Sequence, residues 1–564
     1  MTKSRKYIVI IGLMLLLVIT LVGVSWAVFN YSGLGTKLNT ITTGSITMSY
    51  EETDNTISLN GALPTTDKTG KVRLNEGEYF DFTVSSNIVG NVNINYEISA
   101  KEVGDGTIDG SNIKLYLTRI KDDGKEEALM VPEVYNEEST SNNYTGRPAN
   151  EMSLYTSSMS SSENNKYRLR MYVDEGYNTQ GDGGGLTFSI QINVYGKDGD
   201  KYVPPTTKDI LEDNELQEEK ENMFSYASNG NYIDINSMNL QNDPNYVTKG
   251  LYSMEDEDGV SYYFRGNVDN NNVQFGEYES DYYLYKEGNK YFQSLDNCQE
   301  NNKDGCTTVK LASKGDKMYW KIVRINGDGS LRLIYNGTST NPDNSDITNS
   351  FMIGKTVYNL NGNDPKYTGY TYDNGIDSFV KKEVDTWYNN TLGSNSTFDS
   401  KVIGGRFCSD SSGYKKDIDY GFPDISYNVF ASYDRLSQRE TKYNKPNMPT
   451  LKCPETSESY GGSYILKAGL ITADELILAG ENPGVNGADD YLSVGNSSMY
   501  YWSMTPSNFR IESFNATVWF IATNLGNGYV TNNGNFGIRP VINVRDDNGF
   551  TSGDGTATNP YVIS

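Results

Sequence analysis

Apolar and polar positions alternate with a period of two across residues 30–200. Val92, Ile94, Tyr96 and Ile98 point one way with Asn and Glu between them; Ile113, Leu115 and Leu117 repeat the pattern, as do Phe188, Ile190, Ile192 and Val194. Asp105-Gly106, Asp122-Asp123-Gly124, Asp182-Gly183 and Asp198-Gly199 supply turn signals between them. Period-2 strands at this spacing predict an antiparallel β-sandwich over residues 30–200. The Asp-Gly pairs would also suit calcium, but turns account for them without it.

The pattern changes after residue 200. Tyr202-Val203-Pro204-Pro205-Thr206-Thr207 reads as a stiff linker. Residues 208–224 read as an acidic helix with Ile210, Leu211, Leu216 and Phe224 as its few anchors, so residues 201–227 are expected to be a solvated connector. Residues 228–564 form the second large domain. MYWKIVRINGDGSLRLIY (318–335) predicts a hairpin turning at Asn326-Gly327-Asp328-Gly329. Val380, Val384, Trp387 and Tyr388 fall on one helical face. A second helix is predicted from Thr472, with Glu475 completing a capping box and Gly480 ending it. Hairpin, helix, long Asn/Ser/Gly loops, second helix and closing strands make an α+β arrangement in which loops carry function.

Residues 1–29 predict a signal or membrane anchor. Lys3, Arg5 and Lys6 precede an uncharged apolar run from Tyr7 to Phe29, long enough to span a bilayer. The basic flank places the N-terminus in the cytoplasm and the rest outside. Ser25-Trp26-Ala27 offers the small residues a signal peptidase reads. The reading is a cell-membrane protein on the extracellular face, or a secreted one if cleaved near Ala27. The four cysteines, Cys298, Cys306, Cys408 and Cys453, suit disulfides in an exported chain. Three pairings are open, and sequence proximity favours Cys298–Cys306 with Cys408–Cys453.

Charge and composition narrow the function. A net charge of −25 repels nucleic acid, so no nucleic-acid partner is expected. The chain has no histidine, which removes the commonest general base and the commonest zinc or iron ligand. No cofactor and no metal is read from the sequence, and the chain is not read as an enzyme.

Two resemblances sharpen these expectations. YYFRGNVDN, WKIVRINGDGS, GLITADEL, YYWSMTPS, GIRPVINV and GT-x-x-NPYVI make residues 250–564 resemble C-type-lectin-like domains of the formylglycine-generating-enzyme fold. VGVSWAVFN followed by NTITTGSITM is similar to the exported TasA/camelysin matrix proteins of Gram-positive bacteria. The second resemblance implies a jelly-roll domain able to self-assemble through its N-terminal strand. Enzymes of the first fold need features this chain treats differently. The histidine cluster of the iron-dependent sulfoxide synthases is absent, and a copper-thiol oxidase of the formylglycine-generating type would need free thiols at Cys408 and Cys453. The Glu-Pro-Asn and Gln-Pro-Asp strings of calcium-dependent sugar lectins are also missing.

Asn508, Arg510, Glu512, Asn515, Asn524, Asn527, Tyr529, Asn532, Asn533 and Asn535 cluster near the C-terminus around Trp519. This stretch is similar to the variable region of retroelement-diversified proteins. Asn offers donor and acceptor in one group, while Tyr and Trp offer rigid contact area. The expectation is an exported surface protein that binds a protein or glycan without catalysis through these residues. The first alternative is a fibre or matrix subunit assembling through the N-terminal β domain; the second is the copper-thiol oxidase.

Overall fold

The computed structural model describes residues 30–33, 44–50, 56–60, 63–74, 79–90, 92–177, 187–219, 249–301, 305–373, 375–413, 415–418, 427–436, 449–454, 460–481, 490–493, 499–511, 513–522, 525–532 and 536–564. The apolar run 7–29, the Ala27 cleavage point and the Asp182-Gly183 turn lie outside them. Among the described residues no helix is long and apolar enough to cross a membrane. The chain is mostly β and divides into two compact units, Met1–Tyr202 and Val203–Ser564.

In the first unit the strands are β1 (Asn30–Gly33), β2 (Gly44–Tyr50), β3 (Thr56–Asn60), β4 (Tyr79–Ile88), β5 (Asn93–Glu102), β6 (Ile113–Ile120), β7 (Glu126–Ala128), β8 (Glu133–Val134), β9 (Met152–Met159), β10 (Asn164–Val173) and β11 (Thr187–Gly199). They form two antiparallel sheets, β1-β11-β5-β9 with β3 also on β11, and β2-β4-β10-β6-β7 with β8 on β6. The alternating residues Ile94, Tyr96, Ile98, Ile113, Leu115, Leu117, Phe188, Ile190, Ile192 and Val194 all enter one core with Phe80 and Phe82. Each such side chain contributes about 1.5–3 kcal/mol relative to exposure. One turn signal fails. Asp198 and Gly199 end β11 opposite Ile94 and Asn93, because pairing with β5 keeps that backbone extended.

The other face of β5 is covered as well. Glu97 accepts hydrogen bonds from Arg147 Nε (2.6 Å), Thr145 Oγ1 (2.5 Å) and Asn142 Nδ2 (3.0 Å). Ser99 Oγ (2.5 Å) and Tyr195 Oη (2.8 Å) donate to Glu151. Segment 138–151 is thus fastened over the sheet by a buried ion pair whose carboxylate is saturated with donors, the condition a buried charge requires.

The second unit starts earlier than the sequence pattern indicates. Helix α1 is Pro205–Asp213, capped by Pro204, and proline at a first helical position is favourable because its missing N–H would have no partner there. It is no solvated connector: Ile210 is fully buried in the unit's core, and Thr207 Oγ1 donates to the Gly329 carbonyl at 2.6 Å. The helix ends at Asp213 instead of reaching 224; Leu216 bridges to Leu251, and Phe224 is outside the described residues.

The predicted hairpin forms as β12 (Lys317–Ile325) and β13 (Leu331–Tyr335). Helix α2 (Phe379–Asn390) is capped by Ser378 and buries Val380, Val384, Trp387 and Tyr388. Trp387 packs against Trp320 and Tyr335, with ring centroids 6.2 and 5.4 Å apart. Helix α3 (Ala431–Leu436) and helix α4 (Ala473–Ala479) follow. α4 carries the predicted capping box and ends at Gly480, whose φ of +126° favours glycine. All seven of its residues are buried, so Glu475 must be neutralised. Arg324 Nε at 3.0 Å and Arg332 Nε at 2.5 Å do this. Burial pushes the Glu475 carboxyl up, but Arg332 and Arg324 together outweigh it and hold it below the usual carboxylate range. Disulfides join Cys298 to Cys306 and Cys408 to Cys453.

A candidate ligand-binding face

The C-terminal candidate residues lie on three consecutive antiparallel strands, β14 (Tyr500–Arg510), β15 (Asn515–Ile521) and β16 (Leu525–Tyr529). Arg510 lies opposite Asn515, Asn508 opposite Thr517, Trp519 opposite Asn527 and Thr517 opposite Tyr529. Directly opposed residues share a face of the pleat, so Asn508, Arg510, Asn515, Thr517, Trp519, Asn527 and Tyr529 fall on one side. On the opposite side Gly528 packs closely: an added Cβ would sit 3.1 Å from the Phe520 ring, which would have to give way.

The face is graded from closed to open. Trp519 and Asn508 are each only 2% exposed, which corrects the expectation of outward recognition side chains at these positions. The Trp519 ring stacks on Tyr433 of α3, centroids 5.6 Å apart at 26°, and the helix thereby covers that end of the face. Among the described residues Trp519 Nε1 and Asn508 Oδ1 are buried without a hydrogen-bond partner. Asn508 is otherwise fixed: its N–H donates to Thr517 Oγ1 (3.0 Å), its carbonyl accepts from that hydroxyl (2.9 Å), and Nδ2 donates to Ser507 Oγ (3.3 Å). An unpaired buried polar atom costs about 1–3 kcal/mol, a cost that this closed end of the face carries beneath α3.

At the open end Arg510 Nη1 donates to Tyr529 Oη at 2.5 Å, and the guanidinium sits 4.9 Å from that ring's centroid. Asn515 and Asn527 are half-buried beside them. Phe514, in the β14–β15 turn with φ +48°, is 63% exposed. Asn532 is exposed just beyond β16. Glu512, Asn524, Asn533 and Asn535 are outside the described residues. Sequence reasoning missed Tyr433, which is distant in the chain and carries no local signal, and Phe514, whose signal was one apolar residue in a polar turn.

A small cleft lies elsewhere in this unit, lined by Arg324, Arg332, Arg406, Arg435, Asp474 and the Cys408–Cys453 disulfide. Its free interior of about 20 Å³ holds roughly one water. Arg435 pairs with Asp410 at 3.3 Å and Asp474 at 2.9 Å. The cleft is therefore an ion-pair network closed by a disulfide, and the thiols that copper chemistry would use are joined to each other. No group of three or more Cys, Asp or Glu suited to a metal occurs among the described residues.

No protein-family model and no curated protein matches this sequence. Among solved structures, the chain is similar to the N-terminal CBM22-1-CBM22-2 tandem domain of Xyn10C from Paenibacillus barcinonensis, at 9% identity over 53% of this chain and 83% of that one. The TM-score of 0.14 leaves the two without a common superposition, so this likeness bears on neither fold nor ligand.

Proposed function

We propose that the protein is an exported surface protein that binds a protein or glycan ligand without catalysis, through the β14–β16 face. In this reading the second unit is a C-type-lectin-like domain, residues 7–29 carry the chain to or across the membrane, and the first unit is a jelly-roll spacer. One observation supports the site above the others: the Arg510–Tyr529 pair, joined at 2.5 Å, lies with half-buried Asn515 and Asn527 at the open end of one sheet face. Paired polar groups flanked by aromatic rings suit recognition of a neutral polar surface.

The test uses the chain without its first 29 residues on a glycan array and on intact cells. A triple variant, Asn515→Ala, Asn527→Ala and Tyr529→Ala, alters only half-buried side chains. Saturable binding lost by the variant, at an unchanged melting temperature, supports the reading. Binding retained by the variant removes this face as the site. No binding by either protein, with assembly into fibres, favours the matrix-subunit alternative.

A further inference from the structure

The end of helix α4 holds two buried carboxyl groups for which the recognition face has no use. Glu481 directly follows the terminating Gly480 and is tied back to the helix, its N–H donating to the Leu476 carbonyl at 3.0 Å. Its side chain is 1% exposed, and among the described residues neither Oε1 nor Oε2 accepts from an N–H or hydroxyl donor. Asp490 is 7% exposed; its Oδ1 accepts from the N–H groups of Leu492 (2.7 Å) and Ser493 (2.9 Å), while Oδ2 accepts from no N–H or hydroxyl donor among the described residues. Asp490 is pressed against the helix end, since a Cβ on Gly480 would lie 3.1 Å from its own Cβ. The two carboxyls face each other within hydrogen-bonding range, a contact that two acids make only when one of them holds a proton.

Two buried guanidinium groups, Arg539 and Arg265, lie in range of Asp490 and both are engaged elsewhere: Arg539 donates to the Tyr335 carbonyl (2.7 Å) and to Asn336 Oδ1 (3.0 Å). Arg265 approaches from the neighbouring strand, but its Nη1 is engaged by the carbonyls of Ile477 (2.7 Å) and Leu478 (3.0 Å) at the helix C-terminus. Tyr501 donates its hydroxyl to the Leu492 carbonyl, and Tyr491 is the other titratable neighbour. The C-terminal end of a helix dipole adds further negative potential. Two facing carboxylates out of water are strongly unfavourable unless a cation or a shared proton compensates them.

We propose that Glu481 and Asp490 form a binding site for a divalent cation, calcium, that locks the end of α4 to the segment beginning at Asp490. The chemistry of the donors selects the ion. Three carboxylate oxygens that accept from no N–H or hydroxyl donor among the described residues, completed by water, suit the flexible all-oxygen shell of Ca²⁺, whereas Mg²⁺ demands stricter octahedral geometry and gives up its water reluctantly. An exported chain also meets this ion outside the cell. Burial raises both carboxyls in the absence of a cation, reinforced at Glu481 by the facing Asp490, and brings Asp490 to about 7 against the opposing N–H groups of Leu492 and Ser493 and the Arg265 cation.

The experiment is thermal unfolding of the chelator-treated chain at neutral pH, with calcium, with magnesium or with neither, beside equilibrium dialysis against radioactive calcium. Calcium in hundredfold excess over its Kd is expected to raise the melting temperature of the second unit by about 3–4 °C, with one equivalent bound. Magnesium should do much less. Glu481→Gln and Asp490→Asn keep the side-chain shapes and should abolish both effects. Should either variant fail to fold, wild-type dialysis still decides: no bound equivalent overturns the site. Equal calcium stabilisation of wild type and folded variants also overturns it, as does a wild type stabilised by acid but not by calcium, which would mean the pair shares a proton.

Discussion

Replacing Glu475 by Gln isolates the charge at the centre of the second unit. Gln still serves at the third position of a capping box, so helix α4 keeps its N-terminal hydrogen bonds. What disappears is the anion between Arg324 and Arg332. Arg324 retains Asp256 at 2.9 Å, but Arg332, with a side chain 1% exposed, keeps only neutral partners, the Arg406 carbonyl (3.0 Å) and Asn543 Oδ1 (3.5 Å). Leaving a buried cation without its partner costs about 3–5 kcal/mol. The second unit has roughly 360 residues, and an unfolding entropy of about 2.1 cal/mol/K per residue converts that loss to about 4–7 °C in melting temperature. Tryptophan emission reports this unit, since Trp320, Trp387, Trp502 and Trp519 all lie in it. The pH dependence has a definite sign. The Glu475 carboxyl is held below its ordinary range when folded, so its stabilisation is present above the unfolded value of about 4.3 and is lost as pH falls through the folded one. Glu475→Gln should lack that acid-sensitive part. A variant melting within 1 °C of wild type (about 1 kcal/mol on the same scale) would refute the view that this carboxylate holds the two arginines in place.

Other outcomes follow from the same structure. Glu383, fully buried on α2, is pushed by burial to about 8; its contribution to stability is fully present below about 4.3 and is lost as pH rises from there through about 8, so wild type should weaken toward alkaline pH and Glu383→Gln should flatten the titration. Removing Cys408–Cys453, which spans 45 residues, should cost about 4 kcal/mol, against about 2.5 for Cys298–Cys306, which spans 8, on the chain-entropy model; denaturant titration of the two double-serine variants gives the order. Trp387→Ala empties a position between Trp320 and Tyr335 and should cost about 3–5 kcal/mol by the same measurement.

Elements whose signals are local could be read from the sequence. Period-2 alternation located β5, β6 and β11 and their core faces, and Thr472, Glu475 and Gly480 marked both ends of α4, because caps and turns are decided by neighbours a few residues apart. The acidic run 208–224 was misread for a related reason: the proline pair starts the helix at 205, while its attachment depends on Ile210 meeting residues far away in the chain. The candidate face was half legible. Most of its residues could be named, but the stretch read as polar loop and not as the strands β15 and β16; the burial of Asn508 and Trp519 follows from α3 folding over them, and Tyr433 gives no hint of that at its own position. The Glu481–Asp490 pair was likewise hidden, since two acids nine residues apart look like ordinary surface charge until both lose their water.

β5 has apolar packing on one face and the Arg147 clasp on the other, with β11 and β9 along its two edges. Its amides therefore have no path to solvent through fraying of an edge or lifting of a single loop. Hydrogen exchange along Asn93–Glu102 should proceed only when the whole unit opens, and the slowest amides there would measure its global unfolding free energy directly.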